Sequence, residues 1–307
     1  ALVAILPGEF LNRSLLGFTD HHVAESLFTT VTILFLILAI KRARERRITF
    51  IHLIHGERTN IIKPLIYILL AGIFLGIYLL TWVGGLLLVF IISVWLIIQF
   101  IIDHLRGKST DYLCIMGFLC FFIATIIFLP YPGRGELSTI CHISLIIAMS
   151  IPLALSGISQ LMTIKTIKPI YYLLALAGLA GIGFAVLQAV NPSLLHSMLS
   201  KFSIFTPRGA ALTILEVHPL LLPYGHFSLK IAWFNFTTSF FISFISFGLL
   251  IYASLKEESA DKTLFLVWSI IMLIAVLGQR RFSYYYAINA ALLTGYFAWR
   301  ILVFAGL

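Results

Sequence analysis

Charged side chains are scarce in this sequence. Asp, Glu, Lys and Arg make up 11% of its 307 residues, against about 25% in a soluble domain. With 61% apolar residues and a mean hydropathy of +1.05, the chain cannot cover a globule with polar surface. Soluble enzymes and nucleic-acid binders are excluded, which leaves a polytopic membrane protein. Cysteine is equally sparse. Cys114 and Cys120 fall in an apolar run and Cys141 in a predicted loop, which supports neither a disulfide framework nor a thiolate metal site. The first twenty residues lack the basic start, short apolar stretch and cleavage site of a secretory signal. The sequence opens at Ala1 and stops at Leu307 within an apolar run, and so reads as a fragment. Ionisable residues are also missing from the centres of the apolar runs, with Asp103 and Asp111 at their cytoplasmic ends. A mid-bilayer charge costs at least about 2.5–3.5 kcal/mol and usually marks an ion path, so a proton-coupled transporter or voltage sensor is disfavoured.

What is present is a series of runs of about 20 apolar residues, each long enough to cross the hydrocarbon as a helix. They lie at about 22–40, 64–82, 84–102, 112–130, 143–162, 170–190, 237–255, 263–279 and 282–303. The fold predicted is all-α: a polytopic helical bundle of about nine complete spans forming one membrane domain over 1–307. Residues 1–6 read as the tail of a further span. Lys and Arg collect in cytoplasmic loops. Thirteen of them, including the stretch Lys41 to Arg47, fall in one set of connections and seven in the other. The less basic set, at about 7–21, 131–142, 191–236 and 279–286, therefore faces outward, and the net charge of +9 is first a topology signal. The unexplained polar residues are concentrated on that outer side.

Three clusters there can carry chemistry. Asp20 and His22 stand at the start of the first span, where Asp20 reads equally as a helix N-cap and as one of a carboxylate–imidazole pair suited to Mn²⁺ or, less naturally, Mg²⁺. Glu216, in Thr213-Ile214-Leu215-Glu216, is either a solvated residue of a surface helix or a carboxylate that joins that pair on the outer face. Arg281, followed by Phe282 and Tyr284 to Tyr286, fits an interfacial aromatic belt or a bidentate phosphate contact. Trp82, beside Gly84 and Gly85, reads first as a belt residue at a tight turn. The sequons at Asn12 and Asn235 lie close to the membrane and read as incidental.

Five segments in order, Arg13-Ser14-x-x-Gly17-x-x-Asp20-x-His22, Thr81-Trp82-Val83-Gly84-Gly85, Asp103-His104-Leu105-Arg106-Gly107, Thr213-Ile214-Leu215-Glu216 and Arg281-Phe282-Ser283-Tyr284-Tyr285, together resemble the catalytic subunit of oligosaccharyltransferase. The His after Asp20 and the Thr-Ile-x-Glu form are similar to the archaeal single-subunit enzymes. The resemblance implies a type C glycosyltransferase bundle. In it a preassembled glycan passes from a polyprenyl (dolichyl) phosphate or pyrophosphate carrier to the asparagine of Asn-x-Ser/Thr in an acceptor polypeptide, at the outer face of an archaeal plasma membrane. Mn²⁺ or Mg²⁺ would be held by Asp20 and His22, with Glu216 nearby or coordinating. Glu216 would also be catalytic and engage the acceptor amide, Arg13 would lie near the acceptor peptide, Arg281 would contact the carrier phosphate and Trp82 would line the carrier groove. The family's first outer loop, with its own aspartate, and its soluble C-terminal domain are expected outside residues 1–307, so that this fragment alone is expected to be inactive. No nucleic-acid partner is implied. Two alternatives stand beside this reading: another lipid-carrier glycosyltransferase of the same fold, and a polytopic transporter or flippase.

Overall fold

The computed structural model describes residues 2–306 except 16, 18–20, 56–57, 83, 132–135 and 208–212. The described residues contain helix and no strand. In order the helices are α1 (Leu2–Ile5), α2 (Glu9–Ser14), α3 (His22–Glu45), α4 (Phe50–His55), α5 (Arg58–Thr81), α6 (Gly85–Leu105), α7 (Asp111–Phe128), α8 (Glu136–Ile164), α9 (Tyr171–Val190), α10 (Pro192–Ser200), α11 (Lys230–Phe236), α12 (Ser239–Glu257), α13 (Ala260–Gly278) and α14 (Ser283–Phe304). Among the described residues nine helices are long and apolar enough to cross a membrane, one for each predicted run, and the chain is an integral membrane protein.

Two details depart from the sequence reading. Helix α8 begins at Glu136 rather than near 143, so Cys141 is buried on a helix and not in a loop. The apolar runs are also not free of carboxylates: Glu25 sits in the first turn of α3 with no solvent exposure. Its cost is met locally by hydroxyl and imidazole partners described below.

The chain forms two compact units. The second, Leu27–His196, carries α4 to α9 and most of α3. Helices α5 and α7 meet along Gly72 and Gly76, one turn apart, where a methyl group would lie 2.7 Å from Ile123 Cβ and 2.8 Å from Ile127 Cβ. Small residues at such a stripe let helix backbones approach closely where lipid offers no hydrophobic drive for association. A buried polar knot closes one end of this unit. Asp103 accepts hydrogen bonds from Gln99 Nε2 at 2.9 Å and Tyr112 Oη at 2.7 Å. His104 Nδ1 meets Ser159 Oγ at 2.8 Å and its ring stacks on Tyr172 at 4.2 Å. The segment Asp103 to Gly107 thus ties α6 to α7, α8 and α9. Trp82 also belongs to this unit, in the turn between α5 and α6, its ring folded over Gly84.

The first unit, Ala1–Ser26 with Ser197–Leu307, carries α11 to α14 with the first turn of α3. Helices α12 and α14 pack through Phe247, Leu250 and Leu293. Polar side chains bridge the spans: Ser243 and Tyr286 hydroxyls lie 2.8 Å apart, Ser246 Oγ donates to the Leu293 carbonyl at 2.8 Å and Asn289 Nδ2 to Ser269 Oγ at 3.1 Å. Inside a bilayer such groups must be satisfied within the protein.

Candidate functional site

The site lies wholly within the first unit, and backbone contacts assemble it. Gly8 adopts φ +79° and brings its backbone against Asn235, whose Oδ1 accepts from Glu9 N at 2.9 Å. That contact fixes α2, and with it Glu9 and Arg13, to α11. Asn235 in turn donates Nδ2 to the Ile231 carbonyl and is buried, so its sequon is folded into the structure. On the other side, Leu220 N donates to Leu277 O at 3.2 Å and Arg280 N to His218 O at 2.9 Å. Gly278 lacks the side chain that would collide with the Phe205 carbonyl at 2.3 Å. The short 3₁₀ turn Leu215–Val217, bearing Glu216, is thereby docked on the turn Arg280–Phe282, bearing Arg281.

Arg13 stands at the centre. Its side chain is 8% exposed, and its guanidinium reaches three segments. Nε donates to Glu9 Oε2 at 2.8 Å, Nη2 to Glu216 Oε1 at 2.5 Å, and Nη1 to His22 Nε2. The guanidinium also lies 5.3 Å from the Tyr284 ring centroid. Because Arg has no acceptor, His22 must present a lone pair at Nε2. Burial disfavours the Arg13 charge, but the hydrogen bond it donates to Glu9 and the charge of Glu216 outweigh it and hold the pKa above its ordinary value.

Behind Arg13 lies a second layer. Glu25 accepts from Tyr284 Oη at 2.6 Å and from Tyr285 Oη, and its other oxygen lies 2.9 Å from His21 Nε2. His22 Nδ1 is 3.8 Å from Glu25 Oε2, and the His22 ring packs on Tyr284 at 4.6 Å. The ligand atoms of His21, His22 and Glu25 fall within 4.8 Å of one another, a mixed nitrogen and oxygen set. Glu25 and the two tyrosines that hold it were not among the expected site residues. The signal was the spacing, since a Glu three and four residues after two His shares their helix face.

Of the expected residues, the structure joins His22 to Glu216 through Arg13, and places Arg281 beside the Glu216 turn. Arg281 lies with its guanidinium 5.2 Å from the Phe282 ring. Asp20 lies outside the described residues, and Trp82 is in the other unit. Glu216, half exposed at 49%, gives its carboxylate to Arg13 and is not part of the His21, His22 and Glu25 set.

An all-helical membrane bundle of this kind is the fold of a class of membrane glycosyltransferases. The family profile Oligosaccharyl transferase STT3, N-terminal, matches residues 1–305. The chain belongs to the STT3 oligosaccharyl transferase family. Among its relatives, dolichyl-phosphooligosaccharide-protein glycotransferase 3 of Archaeoglobus fulgidus is 28% identical over 310 residues, covering 94% of this chain and 34% of that protein. The dolichyl-monophosphooligosaccharide–protein glycotransferase AglB of Haloferax volcanii is 25% identical over 229 residues, covering 72% of this chain and 22% of that one. The solved AglB of Archaeoglobus fulgidus, in complex with an inhibitory peptide and a dolichol-phosphate, superimposes with a TM-score of 0.83 at 27% identity. That match covers 99% of this chain and 36% of the solved one. The chain thus spans about a third of the length of the Archaeoglobus relatives and 22% of the Haloferax one.

Proposed function

We propose that this chain is the membrane part of an enzyme that transfers a preassembled oligosaccharide from a polyprenyl (dolichyl) phosphate or pyrophosphate carrier to the asparagine of Asn-x-Ser/Thr, at the outer face of an archaeal plasma membrane. Dolichol-phosphate and an acceptor peptide with the NVT sequon accompany the solved Archaeoglobus relative, which supports the two substrate classes. The observation that carries the reading is the single Arg13 guanidinium bonded at once to His22, nine residues away, and to Glu216, 203 residues away.

The chemistry asks for such a gathering. An amide nitrogen is a poor nucleophile because its lone pair is delocalised, and full rotation about such a bond costs about 18–20 kcal/mol. Glu216, half exposed, accepts a hydrogen bond from the incoming side-chain amide and helps twist it out of conjugation. Arg13 holds that carboxylate in place and lies near the acceptor peptide. Arg281, docked beside the Glu216 turn, binds the carrier phosphate, where negative charge grows as the glycosidic bond breaks.

A divalent metal, Mn²⁺ or Mg²⁺, would be held by Asp20 and His22 with Glu216 nearby or coordinating, and would supply Lewis-acid stabilisation of the phosphate leaving group. The residues fit one: the ligand atoms of His21, His22 and Glu25 lie within 4.8 Å of one another, and such a mixed imidazole and carboxylate set suits Mn²⁺ better than Mg²⁺. Glu25 Oε2 lies 3.8 Å from His22 Nδ1 and places a negative charge behind the ring.

The test is transfer of a lipid-linked glycan to a sequon peptide by the full-length protein. Glu216→Gln should lower turnover by about 10²-fold or more, and chelation should abolish it with recovery on adding Mn²⁺. Undiminished turnover by that variant, or by Asp20→Asn combined with His22→Ala, rejects these roles.

A further inference from the structure

A recess of about 410 Å³ opens in the first unit between α2, α11 and the turn that follows α13, with Glu9, Lys230, Trp233, Phe234 and Arg280 in its lining. Neither Lys230 nor Arg280 has a carboxylate partner among the described residues, and Arg280 Nε is buried without a hydrogen bond. The nearby carboxylate, Glu9, is already engaged by Arg13. The recess therefore carries two cations to which no carboxylate is bonded among the described residues, and a buried guanidinium nitrogen without a partner is costly unless an acceptor arrives.

Its surroundings say where the acceptor comes from. Arg280 stands at the junction of the spans α13 and α14, and α11 immediately precedes the span α12. On α11, Trp233 and Phe234 are more than half exposed at 54% and 57%. Exposed aromatics beside a lysine at the mouth of a span belong at the depth of lipid headgroups. An anion reaching this recess with apolar chains attached satisfies both features, the cations with its phosphate and the aromatics with its hydrocarbon.

We propose that this recess is a binding site for the phosphate of an anionic phospholipid, with Lys230 and Arg280 as its ligands and Trp233 and Phe234 flanking the acyl chains. The site is separate from Arg281 and does not depend on the catalytic reading above. Its volume suits a phosphodiester headgroup, being within the usual range for small-molecule sites.

The test is lipid competition on the full-length protein in detergent, read by native mass spectrometry, with phosphatidylglycerol and phosphatidylcholine as probes. The wild type should retain phosphatidylglycerol about tenfold or more over phosphatidylcholine, and Lys230→Gln with Arg280→Gln should lose that preference. The charge-preserving pair Lys230→Arg with Arg280→Lys should keep it. Lys230 is exposed, so Lys230→Gln alone folds and should show a partial loss even where the double variant does not fold. Equal retention by wild type and Lys230→Gln overturns the proposal. So does displacement of the lipid by millimolar inorganic phosphate, which would mark a free-anion site, or preferential uptake of dolichyl phosphate, which would mark a carrier site.

Discussion

Replacing Gly8 with alanine tests how the Arg13 cluster is assembled, because this one residue pins α2 to α11. Its backbone holds φ +79° and ψ −145°, a region close to glycine-only, in which another residue costs about 1–3 kcal/mol. The methyl group would also lie 2.5 Å from Asn235 Oδ1 and 2.8 Å from Asn235 Cα. The amide end can turn aside but the Cα cannot, and forced overpacking of this kind costs about 1–3 kcal/mol. The sum, about 2–6 kcal/mol, is a large share of the roughly 5–15 kcal/mol that holds a typical protein folded. Gly17 supplies the control. It holds φ +95°, yet a methyl there meets nothing within 4 Å among the described residues, so only the backbone share applies. Thermal unfolding of the full-length protein in detergent should order the variants wild type, Gly17→Ala, Gly8→Ala. Transfer by Gly8→Ala should fall as well, since a displaced α2 withdraws Arg13 from Glu216. A Gly8→Ala protein within about 0.5 kcal/mol of wild type, or one no less stable than Gly17→Ala, would refute the account of how α2 is held.

Two further outcomes follow from the buried polar groups. Glu25→Gln removes the anion to which Tyr284 and Tyr285 donate and behind which His22 is oriented; the metal concentration for half-maximal transfer should rise about 10–100-fold, and an unchanged midpoint would remove Glu25 from the site. Tyr112→Phe leaves Asp103 Oδ2 without its 2.7 Å donor and should destabilise the protein by about 1–3 kcal/mol with little effect on the rate of transfer per folded molecule, measured by paired unfolding and turnover assays.

The spans were legible because a membrane helix is declared by its length and its lack of charge, and all nine runs became helices. Burial of a carboxylate was not legible, because it depends on partners distant in sequence. Glu25 is held by Tyr284 and Tyr285, 259 and 260 residues away, which supply their hydroxyls. The meeting of His22 with Glu216 could be expected only through a family resemblance, since nothing local to either residue refers to the other. Arg13 was expected near the acceptor peptide, and its position as the link between the other two comes from geometry alone. The same holds for Asn235, whose sequon reads as incidental in the sequence and which is the buried partner of Gly8.

The burial of Arg13 is hard to account for by stability. A buried ion pair gains little over an apolar replacement, because desolvation cancels much of the attraction. Its two acidic partners are themselves 28% and 49% exposed and would be well solvated without it. A fold selected only for stability would have little use for a guanidinium there. What the residue does achieve is geometric: a planar cation with several fixed donors holds a carboxylate on a loop, another on α2 and an imidazole on α3 in one arrangement. Such pre-organisation matters where a weak nucleophile and an anionic leaving group must be held at once, since groups aimed in advance at developing charge need no rearrangement during the reaction. The arrangement also explains the two layers of the cluster. Glu216 is left half exposed, open to an incoming acceptor in the proposed transfer, while Glu25 is sealed behind His22 by the tyrosines.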